Sequence, residues 1–172
     1  MPTSSKENTI WFIFGFAIFI LVICYVYEVS SEEIAQEEIV KDVRGLISDC
    51  RDAGSNVRIR GKILVWDIRG NKPSGAYTKL PRSLRAESTD KLITVFMVIG
   101  KRNEQVGTYS ISNQPAYRQY LDIAVAYWPE RKPAGFLSVV SAEPPSSRMV
   151  KSSPEYGDPN ERIARRIESL LH

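Results

Sequence analysis

The chain has 172 residues, 43% apolar and 25% charged, with a net charge of +3, two cysteines and one histidine. A single histidine, His172 at the chain end, leaves no Ser-His-Asp or Cys-His arrangement unless a chain end supplies the base, and no zinc site built from His and Cys. With one cysteine inside an apolar run and the other outside it, the folded part has no internal disulfide.

The net charge conceals an asymmetry. Residues 28–56 carry eight acids against three bases, residues 57–133 fourteen bases against six acids, and residues 134–172 five of each. The chain is acidic near its start and basic in its middle.

Residues 1–7 form a short flank carrying Lys6. The uncharged run NTIWFIFGFAIFILVICYVY follows, and its length matches a helix crossing the ~30 Å hydrocarbon core of a bilayer. A core helix would show a polar face, and residues 10–27 have none. A cleaved signal peptide would have a shorter apolar region followed by small residues. Residues 8–29 therefore read as a single transmembrane helix whose partner is the lipid bilayer, with Trp11 at one end and Tyr25 and Tyr27 at the other marking the headgroup levels. Ile23 before Cys24 is too bulky for a lipoprotein box, and Phe19 four positions after Gly15 rules out a close-packed glycine face. Lys6 lies near the apolar run, whereas Glu28, Glu32, Glu33, Glu37 and Glu38 precede any base on the far side. This points to the N-terminus in the cytoplasm and the remaining chain outside, where nucleic acid is not an expected partner.

About 140 residues then remain, enough for one domain with a real core. Residues 30–54 read as an amphipathic juxtamembrane helix. Ser30 and Glu33 form a capping box, Ile39, Val43, Leu46, Cys50 and Ala53 make one apolar stripe, and the helix stops near Gly54. The stripe either docks on the domain's own sheet or joins a homodimer or another protein through Ile39, Val43, Leu46 and Cys50.

The domain proper is expected over residues 55–172. Strands are predicted at residues 57–68, 92–99, 106–112, 120–128 and 136–141, with LITVFMVI at 92–99 in the centre and a turn at residues 100–103. In the fourth strand Leu121, Ile123, Val125 and Tyr127 alternate with the smaller Ala124 and Ala126, so one face is bulkier than the other. Glu143, Pro144, Pro145, Ser146 and Ser147 end the sheet in a rigid segment. A closing helix over residues 158–171 has Asp158 as cap, Pro159 at its first position and an apolar face of Ile163, Ala164, Ile167, Leu170 and Leu171. The fold class is thus α+β: a transmembrane helix, then an antiparallel sheet of about five strands, four of them a meander, with two helices on one face.

No glycine-rich phosphate loop occurs, since Gly70 and Gly75 lack both the spacing and the following Lys-Ser/Thr pair. No cofactor or metal is implied. The positive signal is basic. The connection at residues 68–91 is long for a compact domain and holds Arg69, Lys72, Lys79, Arg82 and Arg85 before its first acid, with Leu80 and Leu84 pinning a short helix. In a meander the first and third turns share one end of the sheet, which would place Lys101 and Arg102 beside Arg131 and Lys132. These nine residues are the candidate anion-binding set, for lipid headgroups, an acidic polymer or an acidic partner protein. The function expected is a membrane-anchored, non-catalytic binding or assembly module. The alternative is a membrane-tethered hydrolase or transferase using Asp67 or Asp122 on an anionic substrate.

Overall fold

The computed structural model describes residues 5–86, 88–109, 113–142, 144 and 158–171, and side chains before residue 34 only for residues 16–25. The chain divides into two compact units, Met1–Gln36 and Glu37–His172.

Helix α1 spans Ser5–Arg44 and so runs through the unit boundary. Ser30 does not start a helix: the backbone before it is already helical, so the orphan N–H groups a capping box would satisfy are bonded within the helix. In the first unit every described side chain of residues 16–25 is exposed, on all sides of the helix. Among the described residues no helix is long and apolar enough to cross a membrane.

The second unit is an α+β domain around one five-stranded sheet of order β2-β1-β3-β4-β5. The strands are β1 (Lys62–Asp67), β2 (Lys72–Pro73), β3 (Leu92–Thr108), β4 (Pro115–Tyr127) and β5 (Lys132–Ala142). The helices after α1 are α2 (Ile47–Asp52), α3 (Gly75–Lys79) and α4 (Pro159–Glu168), with a 3-10 turn at Thr89–Lys91.

Three expectations are corrected here. First, the sheet is mixed and not wholly antiparallel, because β1 runs parallel to β3. Parallel neighbours need a crossover of a dozen residues or more. That geometry accounts for the length of the 68–91 connection, which packs Ala76 and Leu80 of its crossover into the core. Its helix is α3, capped by Ser74, whose side chain accepts from Ala76 N. It ends at Leu80, which is extended at ψ 149° because Pro81 disfavours a helical residue before it.

Second, residues 100–103 do not turn. β3 continues through them to Thr108, with irregularities at Ile99 and at Val106 in its pairing with β4. The strands expected at 92–99 and 106–112 are one strand, and the hairpin closes at residues 109–114, where Tyr109 N donates to Gln114 O at 2.9 Å. A glycine with charged neighbours here marks a bulge, which bends a strand without ending it.

Third, helices cover both faces of the sheet. One face packs Ile63 and Val65, Phe96 and Val98, Leu121, Ile123 and Val125, and Leu137 and Val139 against α3 and Ile163, Ala164 and Ile167 of α4. The other packs Leu64 and Trp66, Val95 and Met97, and Ala124 and Ala126 against Ile39, Val40 and Val43 of α1 and Cys50 of α2. Alternation along every strand sends consecutive residues to opposite cores.

The stripe of the juxtamembrane region thus docks on the sheet of its own chain: Ile39, Val43 and Cys50 are buried and Leu46 partly so. The helix breaks at Gly45 and Leu46 before α2, and Gly54 closes α2 with φ +78°. The alanines of β4 let α2 approach closely enough for Cys50 Sγ to donate to Val125 O at 3.0 Å. Burial pushes the Cys50 thiol above its ordinary pKa, while backbone hydrogen bonds around it act in the opposite direction. Asp158 caps α4 by accepting from Asn160 N at 2.9 Å, with Pro159 in the first turn. β5 ends at Ala142; of the segment expected after it, Glu143, Pro145, Ser146 and Ser147 lie outside the described residues.

Candidate functional site

The sheet has two ends, and register assigns each base to one of them. At the first end lie the start of β1, the start of β3, the close of β4 and the start of β5, because Lys62 pairs with Leu92, Thr94 with Tyr127, and Tyr127 with Lys132. The opposite end holds the close of β1 and the β1–β2 turn, with Asp67 beside Val98.

The first end is built around residues 57–60, which precede β1 and carry Arg58 and Arg60. Thr94, fully buried, donates through Oγ1 to Arg60 O at 2.6 Å and accepts from Arg60 N at 3.1 Å. Tyr127 donates its hydroxyl to Arg58 O at 2.8 Å. Its ring lies 4.5 Å beneath the Arg60 guanidinium, which also pairs with Glu130 at 3.8 Å. Next to this, Lys62 Nζ donates to Ser83 O, and Ile63 N donates to Leu84 O at 2.8 Å. That backbone pairing brings Arg82 and Arg85 to the same end. Lys91 stands at the mouth of β3, and the β4–β5 turn supplies Arg131 and Lys132. Arg131 pairs with Asp42 of α1 at 2.7 Å and lies 5.5 Å over the Trp128 ring. Among the described residues, none of Arg58, Lys62, Arg82, Lys91 and Lys132 takes part in an ion pair.

The opposite end is electrically balanced. Asp67 Oδ1 accepts from Arg69 N at 3.0 Å and Gly70 N at 3.2 Å, shaping the turn into β2 and Lys72. Arg69 donates from Nε to Ile99 O at 3.2 Å, and its guanidinium lies where a Cβ on Gly100 would come within 2.6 Å of it. Asn71 donates to Glu37 of α1 at 2.8 Å. Asp122 accepts from Ser138 Oγ at 2.8 Å and lies 3.5 Å from Arg102 Nε; Arg102 also meets Glu104 at 3.3 Å and the Tyr120 ring at 4.8 Å.

The expected meeting of Lys101 and Arg102 with Arg131 and Lys132 does not occur. Lys101 and Arg102 are strand residues opposite Leu121 and Tyr120, while Lys132 is opposite Tyr127. Six residues of β4 separate the two pairs, roughly 20 Å along the strand. The geometric premise failed because the turn at 100–103 is absent. Of the nine candidates, Arg82, Arg85, Arg131 and Lys132 gather at the first end, and Arg69, Lys72, Lys101 and Arg102 belong to the other. Lys79 sits apart, 3.8 Å from Asp158 at the start of α4.

Arg58, Arg60, Lys62 and Lys91 were missed by sequence reasoning. The signal was available in their positions: bases immediately before two strands, which converge once those strands are known to run parallel. The two carboxylates singled out for chemistry hold structure, Asp67 a turn and Asp122 an arginine and a serine. Among the described residues, no three His, Cys, Asp or Glu side chains gather as a metal-ligand set. Comparison with protein-family models, curated proteins and solved structures gives no match.

Proposed function

We propose that the chain is a single-pass membrane protein, crossing the bilayer through residues 8–29, whose folded domain is a non-catalytic binding or assembly module for an anionic ligand: headgroups, an acidic polymer or an acidic partner protein. The observation that carries this is the exposure of residues 16–25 on every side of α1, with Phe19 60% and Leu21 68% exposed. Leaving such side chains in water costs about 1.5–3 kcal/mol each relative to burial, and a bilayer removes that cost for the whole circumference at once. The position of Lys6 before the run, against the acids after it, supports a cytoplasmic N-terminus and an extracytoplasmic domain. The structural engagement of Asp67 and Asp122 supports binding over catalysis.

Alkaline extraction of membranes tests the anchor. The full chain stays in the pellet, and a chain lacking residues 1–29 goes to the supernatant. Recovery of the full chain in the supernatant would overturn the reading. Protease added to sealed vesicles then tests sidedness, with the domain protected in vesicles that keep the cell's exterior inside.

A further inference from the structure

We infer that the basic end of the sheet is the surface by which this module holds a carboxylate-rich segment of a partner protein. This rests on the binding reading above and names its ligand and its face. Two observations carry it.

The first is an excess of unpaired charge. Arg58, Lys62, Arg82, Lys91 and Lys132 converge there outside the ion pairs of the described residues; at the opposite end Arg69, Lys72 and Lys101 also stand outside them, but there the four bases, with Arg102, lie among four carboxylates, Glu37, Asp67, Glu104 and Asp122. A cleft or face with one sign of charge concentrates ligands of the other.

The second is preorganisation. Arg60 is stacked on Tyr127 and Arg131 on Trp128, which fixes two planar guanidinium forks of the kind that match a carboxylate with two hydrogen bonds. The chain's own Glu130 and Asp42 already occupy positions beside these forks. They stand as internal examples of the group the end accepts.

The test uses the full chain in nanodiscs of neutral phosphatidylcholine, with a fluorescent oligo-glutamate peptide as probe at low salt. Two matched pairs of exposed lysines are reversed, K91E with K132E at the basic end and K72E with K101E at the other. The peptide binds the unaltered chain, the first pair weakens it by about tenfold or more, and the second changes it by less than about twofold. Matching melting curves show that each variant folds; the milder K91Q with K132Q gives a smaller loss in the same direction. Equal losses from both pairs, or no binding to the unaltered chain, would overturn the assignment. So would tighter binding through Lys91 and Lys132 to added phosphatidylserine vesicles than to the peptide, since that would make the ligand a headgroup. Co-elution with the nanodisc reports the anchor separately. If the chain elutes free of lipid, the anchor reading fails and the same peptide comparison is made on the free chain.

Discussion

Thr94 and Arg60 are joined by two hydrogen bonds, one in each direction, between a buried threonine hydroxyl and the backbone of an arginine thirty-four positions earlier. The pair has no counterpart in regular strand pairing. It binds residues 57–60 to β3, and with them the arginines of the basic end.

Thr94→Val keeps the shape of the side chain and removes both bonds, leaving Arg60 N and O without this partner. A loss of about 1–3 kcal/mol in stability is expected, read from urea denaturation. Because Arg60 loses its tie to β3, with Arg58 still held by Tyr127, oligo-glutamate binding falls as well, even where the variant is folded.

Gly135 is the tightest glycine junction on the α2 side. Its φ is +147°, and a Cβ there would come 2.7 Å from Gly54 O, the carbonyl that accepts from Phe136 N. Gly135→Ala therefore combines backbone strain with a clash against main chain that has little freedom to move. The expected cost is about 2–3 kcal/mol, measured as a shift in the urea midpoint. A change below about 0.5 kcal/mol would show that α2 is free to shift away.

Cys50 gives a pH signature. Its thiol pKa is raised by burial, so the fold favours the neutral form. The stability this contributes is fully present below the unfolded thiol value and is lost as pH rises through the folded one. The urea midpoint should decline above about pH 9 more steeply than in Cys50→Ala. At pH 8 the native thiol should react with an aromatic disulfide far more slowly than the same thiol in denaturant.

Asp122→Ala removes the acceptor of Ser138 and one of the two acids near Arg102. Arg102 is about half exposed and keeps Glu104 and the ring of Tyr120, so solvent screening holds the cost to about 1 kcal/mol. Asp122→Asn, which can still accept from Ser138, should cost less. A loss above about 3 kcal/mol would mean that the carboxylate anchors more than these two partners.

Local signals in the sequence carried a good part of the domain. The cap, proline and apolar face of α4, the central apolar run of β3 and the stripe at Ile39, Val43 and Cys50 could all be read from residue types at fixed spacings. Strand direction could not: a segment rich in Val, Ile and Leu looks the same whichever way its neighbour runs, so the parallel pairing of β1 with β3 was invisible. Gly100 was misread for a related reason. Glycine followed by Lys, Arg and Asn has turn composition, and only the partner strand shows that the chain continues past it as a strand. The basic end depends on both features. Its arginines and lysines come from residues 58 to 132 and converge through strand register and through the bonds that tie residues 58–60 and 83–84 to the sheet, so the residues were visible but their meeting place was not.

The two sides of the sheet also differ in how they can change over generations. Beneath α3 and α4 the strands present Leu, Ile, Val and Phe, whose volumes can be traded against one another when two substitutions occur together. Beneath α2 they present Ala124 and Ala126, with a thiol reaching a strand carbonyl directly, and only glycine, which weakens a strand interior, is smaller than alanine. Variation in this protein should therefore be tolerated more readily at the bulky strand positions than at Ala124 and Ala126, where α2 lies closest.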